Sequence, residues 1–122
     1  MKITQLGKFL RKIRIDCNQI LMDMATELNI SVAQLSAIEL GKRAVSDATK
    51  SKIIELYSSF CSGKEELERL IDMSQPSFKE DFEGIPEMRR ELFISFARKY
   101  KEIPDEEAQE WLQTLNEMTM KR

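Results

Sequence analysis

The sequence of 122 residues contains no histidine, and its two cysteines, Cys17 and Cys61, stand far apart. The lack of histidine excludes zinc sites of the Cys/His kind, catalytic triads of the Ser-His-Asp and Cys-His kinds, and pH switches based on imidazole. We interpret both cysteines as small, partly buried apolar side chains. Since no set of residues typical of an active site is present, we predict a protein that is not an enzyme and has no metal site and no cofactor.

Long hydrophobic runs are also missing. No apolar stretch approaches the roughly 18 residues that a membrane-spanning helix needs. The segment 1–15 has neither the uninterrupted apolar region nor the small-residue cleavage site of a signal peptide. We therefore expect no membrane partner and a cytoplasmic location. Three prolines, four glycines and 33% charged residues are typical of a helix-rich globular protein.

The net charge of −2 conceals an uneven distribution of charge along the chain. Residues 1–46 contain seven basic and four acidic side chains, a net charge of +3. Residues 47–122 contain twelve basic and seventeen acidic side chains, a net charge of −5. A cationic half joined to an anionic half is typical of a module that faces nucleic-acid phosphates attached to one that does not.

Apolar residues recur at helical spacing along most of the chain, and no segment shows the alternation of a β-strand. Helices are predicted from Thr4 to about Cys17, from Leu21 to Leu28, between Ser31 and Gly41, from Ser46 or Asp47 through about Phe60, from Glu65 to Met73, from Glu87 to about Lys101, and from Asp105 onward. We expect an all-α fold with a five-helix domain over residues 1–74, a linker over 75–86 that contains two prolines and a glycine, and a C-terminal helical pair over 87–122.

The second and third predicted helices are short and closely connected. About three residues join them, and Asn29 in this connection tolerates the left-handed backbone that often ends a helix. Ser31 is a suitable N-cap for the third helix, and Gly41 ends it. This arrangement is typical of a helix-turn-helix motif.

Four sequence features of this region resemble one known family. They are LRKIR (10–14), DMATELNIS (23–31), LSAIELGKR (35–43) and Ser46. They are similar to the helix-turn-helix domains of the lambda-repressor/Cro class, also called the XRE family. The resemblance is close over residues 6–46 and extends less specifically through the fifth helix. It implies a lambda-repressor-like DNA-binding domain of five helices, with an internal ion pair between Arg14 and Glu39.

The resemblance further implies that the third helix enters the major groove of double-stranded DNA. The base-facing residues would be Val32, Ala33, Gln34, Ser36 and Ala37. The phosphate contacts would come from Ser31, Lys42, Arg43, Lys8 and Arg11.

The base-facing positions depart from the family pattern because they are mostly small and apolar. Leu21 also stands where the family often has a phosphate-binding glutamine. Val32 and the alanines could contact thymine methyl groups, and Gln34 could bond an adenine edge or a phosphate. Alternatively, DNA shape could carry the specificity, or the face could bind a protein instead of DNA.

The two C-terminal helices each carry an apolar stripe that is not expected to stand exposed to water. We expect the stripes of the two helices together to form the contact of a homodimer or to bind a partner protein. The residues of these stripes include Leu92, Phe93, Phe96, Tyr100, Trp111, Leu112 and Leu115.

The resemblance implies a sequence-specific transcriptional regulator, and we interpret it as a repressor that binds a palindromic operator as a homodimer. The alternative is an antitoxin or interaction adaptor. Its C-terminal helices would bind a toxin or another regulator, with or without binding to its own promoter.

Overall fold

In a computed structural model, which describes the backbone of residues 2–120 and the side chains of residues 2–118, the protein is all-α, with no strand in this range. The predicted fold class is therefore confirmed. The chain forms two compact units, Met1–Lys79 and Glu80–Arg122, which we call the N-terminal and the C-terminal unit. Residues 1, 121 and 122, which the predicted domains include, lie outside the described range. None of the described helices is long and apolar enough to cross a membrane.

Between residues 2 and 79 the chain forms five α-helices. They are α1 (Gln5–Asp16), α2 (Leu21–Leu28), α3 (Val32–Glu39), α4 (Asp47–Tyr57) and α5 (Lys64–Ser74). A 3-10 turn, Ser58–Phe60, follows α4, so that α4 ends three residues earlier than predicted. The chain tightens here because the last carbonyl groups of a helix have no α-helical partner ahead of them.

Hydroxyl side chains begin three of these helices. Thr4, Ser31 and Ser46 are the N-caps of α1, α3 and α4, and each side-chain oxygen accepts a hydrogen bond from the backbone N–H three residues later. Such a bond pairs a donor that helix geometry leaves free, and it contributes about 1 kcal/mol. The prediction for Ser31 is confirmed, and Ser46 rather than Asp47 caps α4.

The first three helices end in left-handed backbone. Asn18, Asn29 and Gly41 have φ angles of 56°, 58° and 70°, as predicted for Asn29. Beyond each of them a backbone N–H reaches back five residues, from Gln19 to Arg14, from Ile30 to Ala25 and from Lys42 to Ala37. These bonds form Schellman motifs, which end the helices by pairing backbone groups that would otherwise be free.

The hydrophobic core of the N-terminal unit lies among these helices, and all five contribute to it. This distribution is expected because short helices in water are stabilised mainly by burial of their apolar faces. The buried apolar side chains are Leu6, Leu10, Ile13, Met24, Ala25, Leu28, Leu35, Ile38, Val45, Ile53, Tyr57, Leu67 and Ile71.

The interpretation of Cys17 as a partly buried side chain is wrong, because Cys17 is exposed. It is the C-cap of α1, and the left-handed turn at Asn18 follows it directly. Its side chain therefore lies in the turn and outside the packed face of the helix. Cys61 is half-buried, as predicted.

The C-terminal unit contains α6 (Glu87–Lys99), a 3-10 turn (Tyr100–Glu102) and α7 (Asp105–Met120). The last turn of the predicted sixth helix is thus 3-10 instead of α-helical. Among residues 80–118 no side chain is buried. This unit therefore has helices but no core of its own.

Candidate nucleic-acid interface

The turn between α2 and α3 determines which face of α3 is free. Only three residues separate the two helices, and Leu35 and Ile38 of α3 are buried in the core. On the opposite face Val32 is 39% exposed. Ala33 is also exposed, and Ser36 and Ala37 are half-exposed. The structure therefore brings these predicted base-facing residues together on the outer side of α3.

Gln34, another predicted base-facing residue, is engaged at the start of α3. Its backbone N–H donates to Ser31 Oγ at 3.0 Å, and its side-chain Oε1 accepts from the Ser31 backbone N–H at 2.9 Å. This reciprocal pair is a capping box. Bidentate recognition of adenine requires both the oxygen and the nitrogen of the amide. With Oε1 engaged, only Nε2 of Gln34 remains to donate to a base or a phosphate.

Three of the predicted phosphate-binding cations are free to contact an anion. Lys42 and Arg43 follow Gly41 directly and are exposed, and Lys8 is exposed on α1. None of the three takes part in an ion pair found among residues 2–120. Their charges are therefore not neutralised by nearby carboxylates, which favours attraction of an anionic partner.

Arg11, also predicted to contact phosphate, differs from these three cations because it takes part in an ion pair. Its Nε is 3.5 Å from Glu39 Oε1, while its side chain remains 54% exposed. Arg14 is buried and contacts the same carboxylate twice, with Nη1 2.5 Å from Oε2 and Nη2 3.1 Å from Oε1. Glu39 thus lies between two guanidinium groups, and the ion pair fixes α1 against the end of α3.

Residues that the sequence reasoning missed hold α2 in place behind α3. Tyr57 Oη donates to Glu27 Oε1 at 2.7 Å, and Gln19 Nε2 donates to Glu27 Oε2 at 2.9 Å. Burial of Tyr57, together with its hydrogen bond to the Glu27 carboxylate, raises the pKa of its phenol. No local sequence pattern joins Gln19, Glu27 and Tyr57, because Gln19 lies eight residues before Glu27 and the Tyr57 contact arises only when α2 packs against α4.

A shallow depression of about 260 Å³ lies beside α3. Its lining includes Gln34, Arg43 and the α4 N-cap Ser46. A guanidinium group next to the start of a helix favours an anion, because helix N-termini carry partial positive charge. Arg43 therefore supplies positive charge beside α3, while Ile30, Ile38, Ala44 and Val45 make half of the lining apolar.

The predicted dimer residues lie on the C-terminal unit. The ring centroids of Phe96 and Tyr100 are 6.0 Å apart, and those of Phe96 and Trp111 are 6.2 Å apart. Phe93 packs edge-on against Phe82 at 5.6 Å, a contact that the sequence reasoning did not include. Leu92, Leu112 and Leu115 are more than half exposed.

In the part of the chain that the structure describes, no group of three or more Cys, Asp or Glu side chains is arranged to hold a metal ion. Comparison with protein-family models, with curated proteins and with solved structures gives no match.

Proposed function

We propose that the protein binds double-stranded DNA with α3 in the major groove and represses transcription from a palindromic operator as a homodimer. The observation that carries this proposal is the charge around α3. The one acidic residue of α3, Glu39, is buried and paired with Arg14. The exposed face of α3 therefore presents no carboxylate to DNA, and two free cations, Lys42 and Arg43, follow it.

In this proposal the contacts divide into two classes. Lys42, Arg43 and Lys8 bind phosphates and supply affinity for any sequence. Val32 and Ala33 contact thymine methyl groups, and Gln34 Nε2 donates to an acceptor on a base edge or on the backbone. Sequence preference then depends on a few apolar contacts and on the shape of the groove.

The first prediction concerns the phosphate contacts. Lys42→Ala and Arg43→Ala should each weaken binding to a duplex from the gene's own promoter region and to an unrelated duplex by the same factor. Each should also reduce the slope of log K against log salt by about 1, because one fewer counterion is released. Fluorescence anisotropy at several salt concentrations measures both quantities.

Arg98→Ala is the matched control, since it removes the same charge from an exposed position of α6. It should leave the salt slope unchanged. If the unaltered protein does not bind the duplex, or if its binding does not weaken as salt is added, the proposed function is contradicted.

A second candidate function is supported by the exposed apolar residues of α6 and α7. In this alternative the protein is an antitoxin or adaptor that binds a different protein through these helices. It predicts a stable stoichiometric complex with a protein encoded by a neighbouring gene, and a chain that is monomeric on its own.

A further inference from the structure

The C-terminal unit exposes the side chains that would normally form a core. Large apolar residues of α6, the following turn and α7 have exposed fractions between 38% and 73%. A unit of about 40 residues is near the size below which a single chain rarely folds without further stabilisation. Unless something covers these side chains, the unit has little hydrophobic stabilisation. They are Met88, Leu92, Phe93, Phe96, Tyr100, Trp111, Leu112, Leu115 and Met118.

The contact between α6 and α7 covers only part of this surface. Phe96 and Trp111 meet with their ring centroids 6.2 Å apart, yet each remains 47% exposed. Side chains of this size, each about half exposed, together offer an apolar area on the order of 800 Å². That is about the area that each partner contributes to a stable protein–protein interface.

The charges of the two helices are opposite. α6 has four basic and two acidic residues, whereas α7 has five acidic residues and no basic one. Residues three or four apart lie on the same side of a helix. Arg89 therefore lies on the side of Leu92 and Phe93, and Lys99 on the side of Phe96.

The same spacing places carboxylates beside the apolar stripe of α7. Glu107 lies four residues before Trp111, and Asp105 lies three residues before Ala108, the first apolar residue of this stripe. Glu106 and Glu110 lie on the other side of this helix. The apolar surface of α6 is thus bordered mainly by cations, with Glu91, three residues after Met88, as the exception, and that of α7 by anions, both on one chain.

We propose that this surface binds the same surface of a second copy of the chain, so that α6 and α7 of both copies form a four-helix bundle. A two-fold interface brings the same surface of each subunit together. Placing the two α6 helices diagonally puts each α6 between its own α7 and the α7 of the second copy. All neighbouring helices in the bundle then have opposite charge. A foreign partner would have to supply both signs of charge, whereas a second copy supplies them by symmetry.

This inference rests on the proposed function, which requires a homodimer, and it assigns the dimer contact to α6 and α7. Sedimentation equilibrium of the full chain should give the mass of a dimer. Leu92→Glu/Leu112→Glu should raise the dissociation constant of the dimer by about 100-fold or more, because it places charges in the apolar centre of the interface. Ile15→Glu, at a residue of α1 that is 78% exposed, is the control and should leave the dimer intact.

A second measurement tests the arrangement of charges. Arg89→Glu/Arg90→Glu/Lys99→Glu makes α6 acidic, and Asp105→Lys/Glu107→Lys makes α7 less acidic and reverses the charges beside its apolar stripe. Each variant alone should dimerise more weakly than the unaltered chain. An equimolar mixture should form a 1:1 heterodimer, because each α6 then meets an oppositely charged α7 of the other copy, whereas in either homodimer all neighbouring helices have like charges beside their apolar stripes. Glu106→Lys/Glu110→Lys is the control on the other side of α7 and should dimerise normally.

The outcomes separate this inference from the proposed function. A monomeric unaltered chain, whether or not it captures another protein, overturns the inference and also the homodimer that the proposed function requires, but not DNA binding itself. The inference is also overturned by a dimer that Leu92→Glu/Leu112→Glu leaves intact while circular dichroism shows unchanged helix content. A dimer formed elsewhere would still be compatible with DNA binding, which the salt titration measures independently.

Discussion

At the scale of single residues, α1 and the end of α3 approach each other so closely that no side chain fits at Gly7. The backbone N–H and the hydroxyl of Thr4 both donate to the carbonyl oxygen of Glu39, each at 3.0 Å. A Cβ at Gly7 would overlap that same oxygen and the side chain of Ile3. The position therefore requires glycine for space, although glycine lowers the intrinsic stability of a helix.

Gly7→Ala tests this close approach. Alanine stabilises an exposed helical position by up to about 1 kcal/mol relative to glycine. At Gly7 we expect the opposite sign, a loss of about 1–3 kcal/mol, because the added methyl group forces α1 away from α3. Urea denaturation followed by circular dichroism measures the free energy of unfolding. Ser51→Ala, at an exposed position of α4, should change it by less than about 0.5 kcal/mol. A more stable Gly7 variant would contradict the contact.

Also at the residue scale, Glu39 orients α3 and keeps its own charge away from the proposed DNA surface. The residue is only 2% exposed, and its carboxylate is held by Arg14 and Arg11. Removing one partner of a buried ion pair leaves an uncompensated charge, which costs about 3–5 kcal/mol, although the intact pair adds little to stability. The pair therefore sets the orientation of α3 and keeps a carboxylate away from the proposed DNA surface.

At the scale of secondary-structure elements, the position of α2 depends on polar contacts as well as on the core. Tyr57 of α4 donates to Glu27 of α2, and Gln19 of the preceding turn donates to the same carboxylate. Since α2 has only eight residues, it has little stability in isolation. These bonds therefore help to fix α2 and, through the short turn, the start of α3.

The raised pKa of Tyr57 makes the free energy of unfolding depend on pH. The unfolded phenol loses its proton near pH 10, while the folded phenol keeps its proton because it is buried and donates to Glu27. This contribution to stability is therefore complete below about pH 10 and is lost progressively as the pH rises further. The free energy of unfolding should fall between pH 9 and roughly pH 11 more steeply in the unaltered protein than in Tyr57→Phe. Urea titrations at each pH measure it, and parallel curves for the two proteins would contradict the assignment.

At the scale of the whole molecule, the two units carry opposite charge patterns suited to different partners. The N-terminal unit presents free cations around an α3 surface without carboxylates, whereas α7 of the C-terminal unit carries five carboxylates. We infer a division of labour in which one unit binds DNA and the other joins two copies. Linking two DNA-binding units makes the second binding event intramolecular and raises affinity by about 10²–10⁴-fold when the geometry matches.

This division predicts how dimerisation affects DNA binding. On a palindromic duplex that the protein protects in its own promoter, the unaltered chain should bind about 100-fold more tightly than Leu92→Glu/Leu112→Glu. On the same duplex with one half-site scrambled, the two proteins should bind equally, because only one DNA-binding unit is engaged. Anisotropy titrations at fixed salt provide both comparisons. Equal affinities on the intact palindrome would show that the C-terminal unit does not couple the two half-sites.

Most of the helices could be predicted from sequence because their signals are local. The limits of α2 were predicted to the residue, since Asn29 ends α2 and Ser31 begins α3 through bonds within a few residues. The inward positions of α2 and α3 followed from helical spacing. The 3-10 turns that end α4 and precede α7 were missed, because a short tightening of the backbone does not change the apolar pattern.

The features of the candidate site also fall into two groups, those specified by local sequence and those specified by long-range packing. The sequence alone determined the all-α class, the helix caps and the uneven distribution of charge, since these depend on residue type and neighbours along the chain. Only the tertiary structure decided that Glu39 holds Arg11 as well as Arg14, that Tyr57 donates to Glu27, and that Gly7 lies against α3. It also decided that no side chain among residues 80–118 is buried. Burial and long-range contacts depend on how helices far apart in sequence pack, and no local pattern of residues specifies that.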